Sequence, residues 1–167
     1  MTETVAVDLD RHVYGQADAP ITLVEYGDFE CPYCGAAAPV LRRLIDESGG
    51  MVRLVYRHFP LFTVHPFALT AALAAEAAGD RFWEMHDLLF AHQSRLTDPD
   101  LENYAAMLGV GSVTGESAQP FQPAIAADYN SGVAAGVRGT PTLFADGRLY
   151  QGKVEISALR SALGMHH

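Results

Sequence analysis

Cysteine is nearly absent: the chain of 167 residues holds two, Cys31 and Cys34. A bridge closing so short a loop would constrain the unfolded chain little, so the pair is a poor structural staple. A catalytic, redox-sensing or metal-binding role remains. Basic residues are also few, 11 against 20 acidic ones for a formal charge of -9. That balance argues against a nucleic-acid groove or an anionic membrane surface as partner. No stretch approaches the roughly 20 uninterrupted apolar residues of a membrane span, since the alanine-rich segment 67–78 is short and carries Glu76. Membrane insertion is therefore not expected. The first eleven residues place carboxylates early and lack the apolar core of a signal peptide, so a cytoplasmic location is expected. Repeats and low-complexity tracts are missing too, apart from the alanine bias. No role falls to the terminal His166 and His167, and oligomeric state is left unassigned.

With 49% of its residues apolar, the chain can bury a core of ordinary single-domain size. Residues 21–27 are rich in β-formers and run into Cys31-Pro32-Tyr33-Cys34, after which 36–47 reads as a helix that Gly49 and Gly50 end. Residues 51–59 read as a second strand closed by Pro60. From His65 to Leu108 the pattern is helical, with Pro66 suited to a first turn, helices over 67–78 and 81–92, and a third capped by Thr97 or Asp98 and ended by Gly109. Residues 109–120 read as a surface loop and 121–135 as a helix. Two short apolar runs joined at Asp146-Gly147 then predict a β-hairpin over 139–150, and 155–163 a closing helix. The expectation is an α/β fold with a central mixed sheet built from both ends of the chain, residues 1–62 and 136–167. A helical subdomain, residues 63–135, is inserted between them.

A Cys-x-x-Cys pair at a helix start puts the first sulfur where unpaired N–H groups and the positive end of the helix dipole favour an anion. Pro32 suits the first helical position, having no N–H to leave unpaired. Cys31 would then attack a disulfide and Cys34 would resolve the mixed disulfide. The competing reading is half of a zinc site. Its missing ligands count against it: His86 and His92 are six residues apart on a helix, which turns them to different faces, and His58 and His65 stand isolated. Glu25, mid-strand among apolar neighbours, either relays a proton or faces solvent or pairs with Arg53 or Arg57. Pro39 should bend the helix after the motif. Pro141 after Thr140 either caps an edge strand or forms a cis bond that turns the Thr140 backbone toward the cysteines.

Residues 24–34 (Val-Glu-Tyr-Gly-Asp-Phe-Glu-Cys-Pro-Tyr-Cys) and 136–144 (Gly-Val-Arg-Gly-Thr-Pro-Thr-Leu-Phe) resemble the DsbA-like branch of the thioredoxin superfamily. They are also similar to the thioredoxin-like domain fused to some sodium/proton antiporters. Tyr56-Arg57-His58-Phe59-Pro60-Leu61, His65-Pro66 and residues 82–90 fit the same pattern. The resemblance implies a thioredoxin-like fold, Cys31 as an exposed nucleophile, Cys34 as resolving thiol and Pro141 as a cis-proline. It puts Glu25 at the family's buried acidic position and Pro39 at its helix-bending proline. Pro32, Tyr33, Thr140 and Pro141 would contact substrate. The implied activity is exchange of disulfides with protein thiols, or with glutathione as redox partner, using no cofactor beyond the Cys31–Cys34 disulfide and no metal; a redox-regulated interaction module is the alternative.

Strongly oxidising members carry Pro-His between the cysteines, and this chain has Pro-Tyr. Keeping the helix terminus while losing that imidazole predicts an intermediate potential. It should fall at roughly -160 to -240 mV, on a scale with thioredoxin at about -270 mV and DsbA at about -120 mV.

Overall fold

A computed structural model of the chain describes residues 9–165, so His166 and His167 lie outside the described residues. Five strands form one mixed sheet in the order β1-β3-β2-β4-β5. The central pair, β2 (Ile21–Gly27) and β3 (Val52–His58), is parallel, with Glu25 opposite Tyr56. Helix α1 (Pro32–Asp46) connects them, as parallel strands require a crossover. β4 (Thr142–Ala145) runs antiparallel to β2 and carries the edge strand β5 (Arg148–Tyr150). The hairpin turn at Asp146 and Gly147 has φ of 48° and 84°, the positive angles its residue types predict. On the other edge, β1 (Val13–Tyr14) pairs antiparallel with β3.

Strand alternation sorts the side chains into two faces. Leu23, Val52, Leu54 and Leu143 pack with Leu41 and Leu44 of α1 and Leu159 of the closing helix α6 (Ile156–Ala162). Val24, Tyr26 and Val55 pack with Phe59 and Val137 on the opposite face. Glu25, by period, shares the face of Leu23, under α1.

Between β3 and β4 lie α2 (Ala68–Ala77), α3 (Phe82–Ala91), α4 (Asp98–Leu108) and α5 (Gln122–Ala134). The alanines of α2 let its neighbours approach closely, and Ala71, Ala72, Ala74 and Ala75 are all buried. Their core also contains Phe29 and Tyr56, so the helical insertion and the sheet share packing directly above the motif. Thr97 caps α4 in a reciprocal box with Asp100, and Gly109 ends it in the left-handed conformation.

Three differences from the expected elements stand out. Pro66 precedes α2 instead of entering it, and the segment ahead of the helix is a run of turns. The helix after the motif begins at Pro32, not at 36, so the cysteines lie on it and at its cap. Residues 109–120 are not a free surface loop. Val113 and Ala118 are buried, and the Glu102 carboxylate accepts hydrogen bonds from Ser112, Val113 and Thr114.

Candidate active site

Cys31 is the N-cap of α1 and Pro32 its first residue. The Cys31 N–H donates to the Asp28 carbonyl at 3.1 Å and its own carbonyl accepts from Gly35, so the turn entering the helix is closed on both sides. Both cysteines are free thiols. The Thr140–Pro141 peptide bond is cis, and the Cys31 Sγ–H lies 3.5 Å from the Thr140 carbonyl oxygen. These contacts bring the motif and the Thr140–Pro141 turn, far apart in sequence, to one point.

The two thiols are driven in opposite directions. Cys31 is lowered to about 5, first by the hydrogen bond from the Cys34 thiol, then by Thr140 and the N–H groups of Cys34 and Tyr33, against a penalty from burial. The helix terminus therefore acts through identifiable N–H groups. Cys34 is pushed far up by burial, by its bond to Cys31 and by the nearby Glu25 charge. Such a split suits an attacking thiolate backed by a protonated reserve thiol.

Glu25 is 1% exposed, which removes the solvent-facing alternative. Arg53 is spent on Thr22 and on the Ala17 carbonyl, and Arg57 on Asp128 and the carbonyls of Arg11 and Tyr56. Burial raises the Glu25 carboxyl to about 8, so it holds a proton at neutral pH and can exchange it there. Once it is ionised, its charge raises Cys34 and the buried Tyr56 hydroxyl further.

Around the motif, Tyr33 is 74% exposed and Phe62, Val64 and Phe67 are exposed as well. Cys31 itself is far less open than the resemblance implies, at 3% exposure, because its sulfur sits under the Thr140 carbonyl. Cys34 is fully covered, so Cys31 is the more open of the two by a small margin.

The thioredoxin family model matches residues 8–164. The chain belongs to the thioredoxin family. A Na(+)/H(+) antiporter NhaA 1 of Salinispora arenicola is 49% identical over 165 residues, which cover 95% of this chain and 25% of that protein. The chain thus spans about a quarter of the length of the curated relatives it matches. A thioredoxin-like oxidoreductase from Silicibacter pomeroyi superposes with a TM-score of 0.79 at 28% identity, covering 94% and 92% of the two chains. The thiol-disulfide exchange protein alpha-DsbA2 from Wolbachia pipientis superposes at 0.81 with 20% identity, covering 94% and 87%. The likeness to DsbA-like proteins holds in fold.

Within this thioredoxin-family chain, two residues beyond those the sequence points to, Asp28 and Gln93, hold the motif in place. Asp28 is buried, and its carboxylate accepts from the Glu30 N–H at 2.7 Å and the Leu61 N–H at 2.8 Å and pairs with His65 Nδ1 at 2.8 Å. Gln93, between α3 and α4, donates its amide to the carbonyls of Cys31 at 2.8 Å and Phe29 at 3.0 Å. It comes so near that a Cβ on Gly35 would meet Gln93 Oε1 at 2.3 Å, which explains a glycine there. A carboxylate three residues before Cys31, at the end of an apolar strand, was the available signal for Asp28; Gln93 had none.

His65 and His58 are not isolated, contrary to expectation. His58 and His12 converge on Glu76, with His58 Nε2 3.6 Å from its carboxylate and His12 bonded to it. Among the described residues this is the group of histidines and carboxylates whose donor atoms converge, and neither cysteine is in it. Arg11 bridges Glu76 and Asp128, and Asp128 also faces Arg57. The guanidinium groups of Arg11 and Arg57 thus face the carboxylates of Glu76 and Asp128 across the segment before β1, α2 and α5. His86 is buried against aromatic rings, whereas His92 is exposed and stacks on Tyr104.

Proposed function

We propose that the chain is a protein thiol-disulfide oxidoreductase working through Cys31-Pro32-Tyr33-Cys34. The observation that carries this reading is the pairing of a helix-capping Cys31, lowered to about 5, with a resolving Cys34 backed by Glu25, directly below the cis Thr140–Pro141 turn. The Cys31 thiolate attacks one sulfur of a substrate disulfide, that S–S bond breaks, and the substrate's second sulfur leaves as a thiolate that takes up a proton. Glu25 in its ionised form, the minor one at neutral pH, takes the Cys34 proton, and Cys34 attacks Cys31 Sγ. The mixed disulfide breaks, the released sulfur takes up a proton, the substrate leaves as a dithiol reduced by two electrons, and the chain holds the Cys31–Cys34 disulfide. Run backwards, the same steps oxidise a substrate dithiol. No cofactor beyond this pair enters either direction. An extended substrate would lie along Thr140, Pro141, Pro32 and Tyr33, with the exposed rings of Tyr33, Phe62 and Phe67 taking its apolar side chains. Protein thiols and glutathione are its redox partners in this reading, and the cytoplasm its place of work.

Insulin reduction and oxidation of a reduced test protein check it. Both are expected to vanish in Cys31→Ser, while Cys34→Ala should accumulate mixed disulfides on Cys31. The antiporter relatives, of which the chain covers only a quarter, favour a second reading, a redox-regulated interaction module. Failure of the unaltered protein to turn over any disulfide would select that reading.

A further inference from the structure

The three residues just ahead of Cys31 serve as a mount. Asp28 binds Leu61 and His65 through its carboxylate, and Glu30 accepts the Phe67 N–H at 2.7 Å. Residues 61–67 therefore hang from the loop that carries the nucleophile. Asp28 also accepts the Cys31 N–H on its backbone carbonyl, so the same residue touches both the imidazole and the N-cap.

Asp28 is a buried carboxylate three residues ahead of the cysteine that must ionise, an unfavourable charge there unless it is matched. Among the described residues, the side-chain base in contact with the Asp28 carboxylate is His65. We propose that His65, seated on Asp28, is the counter-ion of the Cys31 thiolate, a positioning residue that supplies from residues 61–67 the positive charge the Pro-Tyr dipeptide lacks. This rests on Cys31 being the attacking thiolate.

The groups facing His65 agree with that role. Burial disfavours its proton, yet Asp28, Glu30 and Cys31 together outweigh burial and raise it above the ordinary histidine value. Coupling must be reciprocal: whatever Cys31 does for the imidazolium, the imidazolium does for the thiolate. Losing the charge exposes Cys31 to an unmatched Asp28. The imidazole is partly accessible, at 21% of its side chain, so it can be changed without emptying the core.

Two measurements, neither needing substrate turnover, test this apart from the enzyme reading. In His65→Gln, the Cys31 midpoint read from thiolate ultraviolet absorbance should rise by about one unit, a tenfold loss of thiolate below the midpoint. His65→Arg should restore it, because its charge does not titrate in this range. In the unaltered protein, NMR titration should show His65 keeping its proton to higher pH in the dithiol form than in the disulfide form. Equal His65 titration in the two redox states, or an unchanged Cys31 midpoint in a folded His65→Gln, overturns the proposal.

Discussion

Glu25 and Glu76 are buried almost equally, at 1% and 6% exposure, yet their surroundings are opposite. Glu76 sits among Arg11, His12 and His58. Burial pushes its carboxyl up, but those neighbours outweigh burial and hold it well below the usual range. Glu25 has burial alone, and its carboxyl rises to about 8. The first is a matched charge that ties the segment before β1 to α2 and α5, and the second a carboxyl that keeps its proton at neutral pH. A buried carboxylate given partners holds structure, while one denied them holds a proton near neutral pH.

Breaking the matched cluster should have the largest effect. Asp128→Ala strips a shared partner of Arg11 and Arg57 and the acceptor of the His58 N–H, removing one carboxylate from a buried charged cluster. A loss of about 3–5 kcal/mol in urea unfolding is expected. A loss below about 1 kcal/mol would mean that the cluster does not hold the fold.

Glu25→Gln should do the reverse. A carboxyl raised in the folded state favours folding under acidic conditions, and that advantage is lost as pH rises from the unfolded value through 8. At pH 7 the native residue destabilises by on the order of 3 kcal/mol, so Glu25→Gln should gain part of that at neutral pH and nothing below about pH 4. If Glu25 accepts the Cys34 proton, resolution of the mixed disulfide should slow in the same variant. A variant more stable at neutral pH but equally fast would separate the two roles.

The pH profile of stability sharpens the contrast. His12 is lowered chiefly by burial, and Glu76 is lowered too. Both therefore contribute stability that is present above their unfolded values and lost as pH falls, first below about 6.5 and then below about 4.3. Urea midpoints across pH should show an acid limb that shrinks in Glu76→Gln and, between about pH 4 and 8, an opposing decline with rising pH that shrinks in Glu25→Gln.

How much of this could be read from the chain depends on the distance over which each feature acts. Strand, motif and helix are adjacent in sequence, so β-forming residues, Pro32 and the glycines after α1 were enough to place them. Asp146-Gly147 marked its own turn. β1 is two residues long and exists only because β3 offers it an edge, so no local pattern announces it. The site divides the same way. Cys31, Cys34 and Glu25 are picked out by their spacing. The contact of Asp28 with His65 spans 37 residues and that of Cys31 with Gln93 spans 62, and each is a polar pair with no periodic signature. His58 looked isolated because its partners Glu76 and His12 come from other elements.

The smallest expected effect falls on the joint between the helical insertion and the motif. Gln93 gives its two amide hydrogens to the carbonyls of Phe29 and Cys31, and the Cys31 carbonyl also receives the Gly35 N–H. Gln93→Ala leaves the Cys31 carbonyl one of its two donors, so about 1–2 kcal/mol of stability should be lost. Gln93→Glu is the sharper variant. It has the same reach but offers acceptors where donors are needed, and it adds a negative charge beside Cys31. It should be less stable than Gln93→Ala and should raise the Cys31 midpoint, whereas Gln93→Ala should leave that midpoint nearly unmoved. Equal thiolate titration in the two variants would show that Gln93 holds the backbone from a distance at which its charge is not felt by the sulfur.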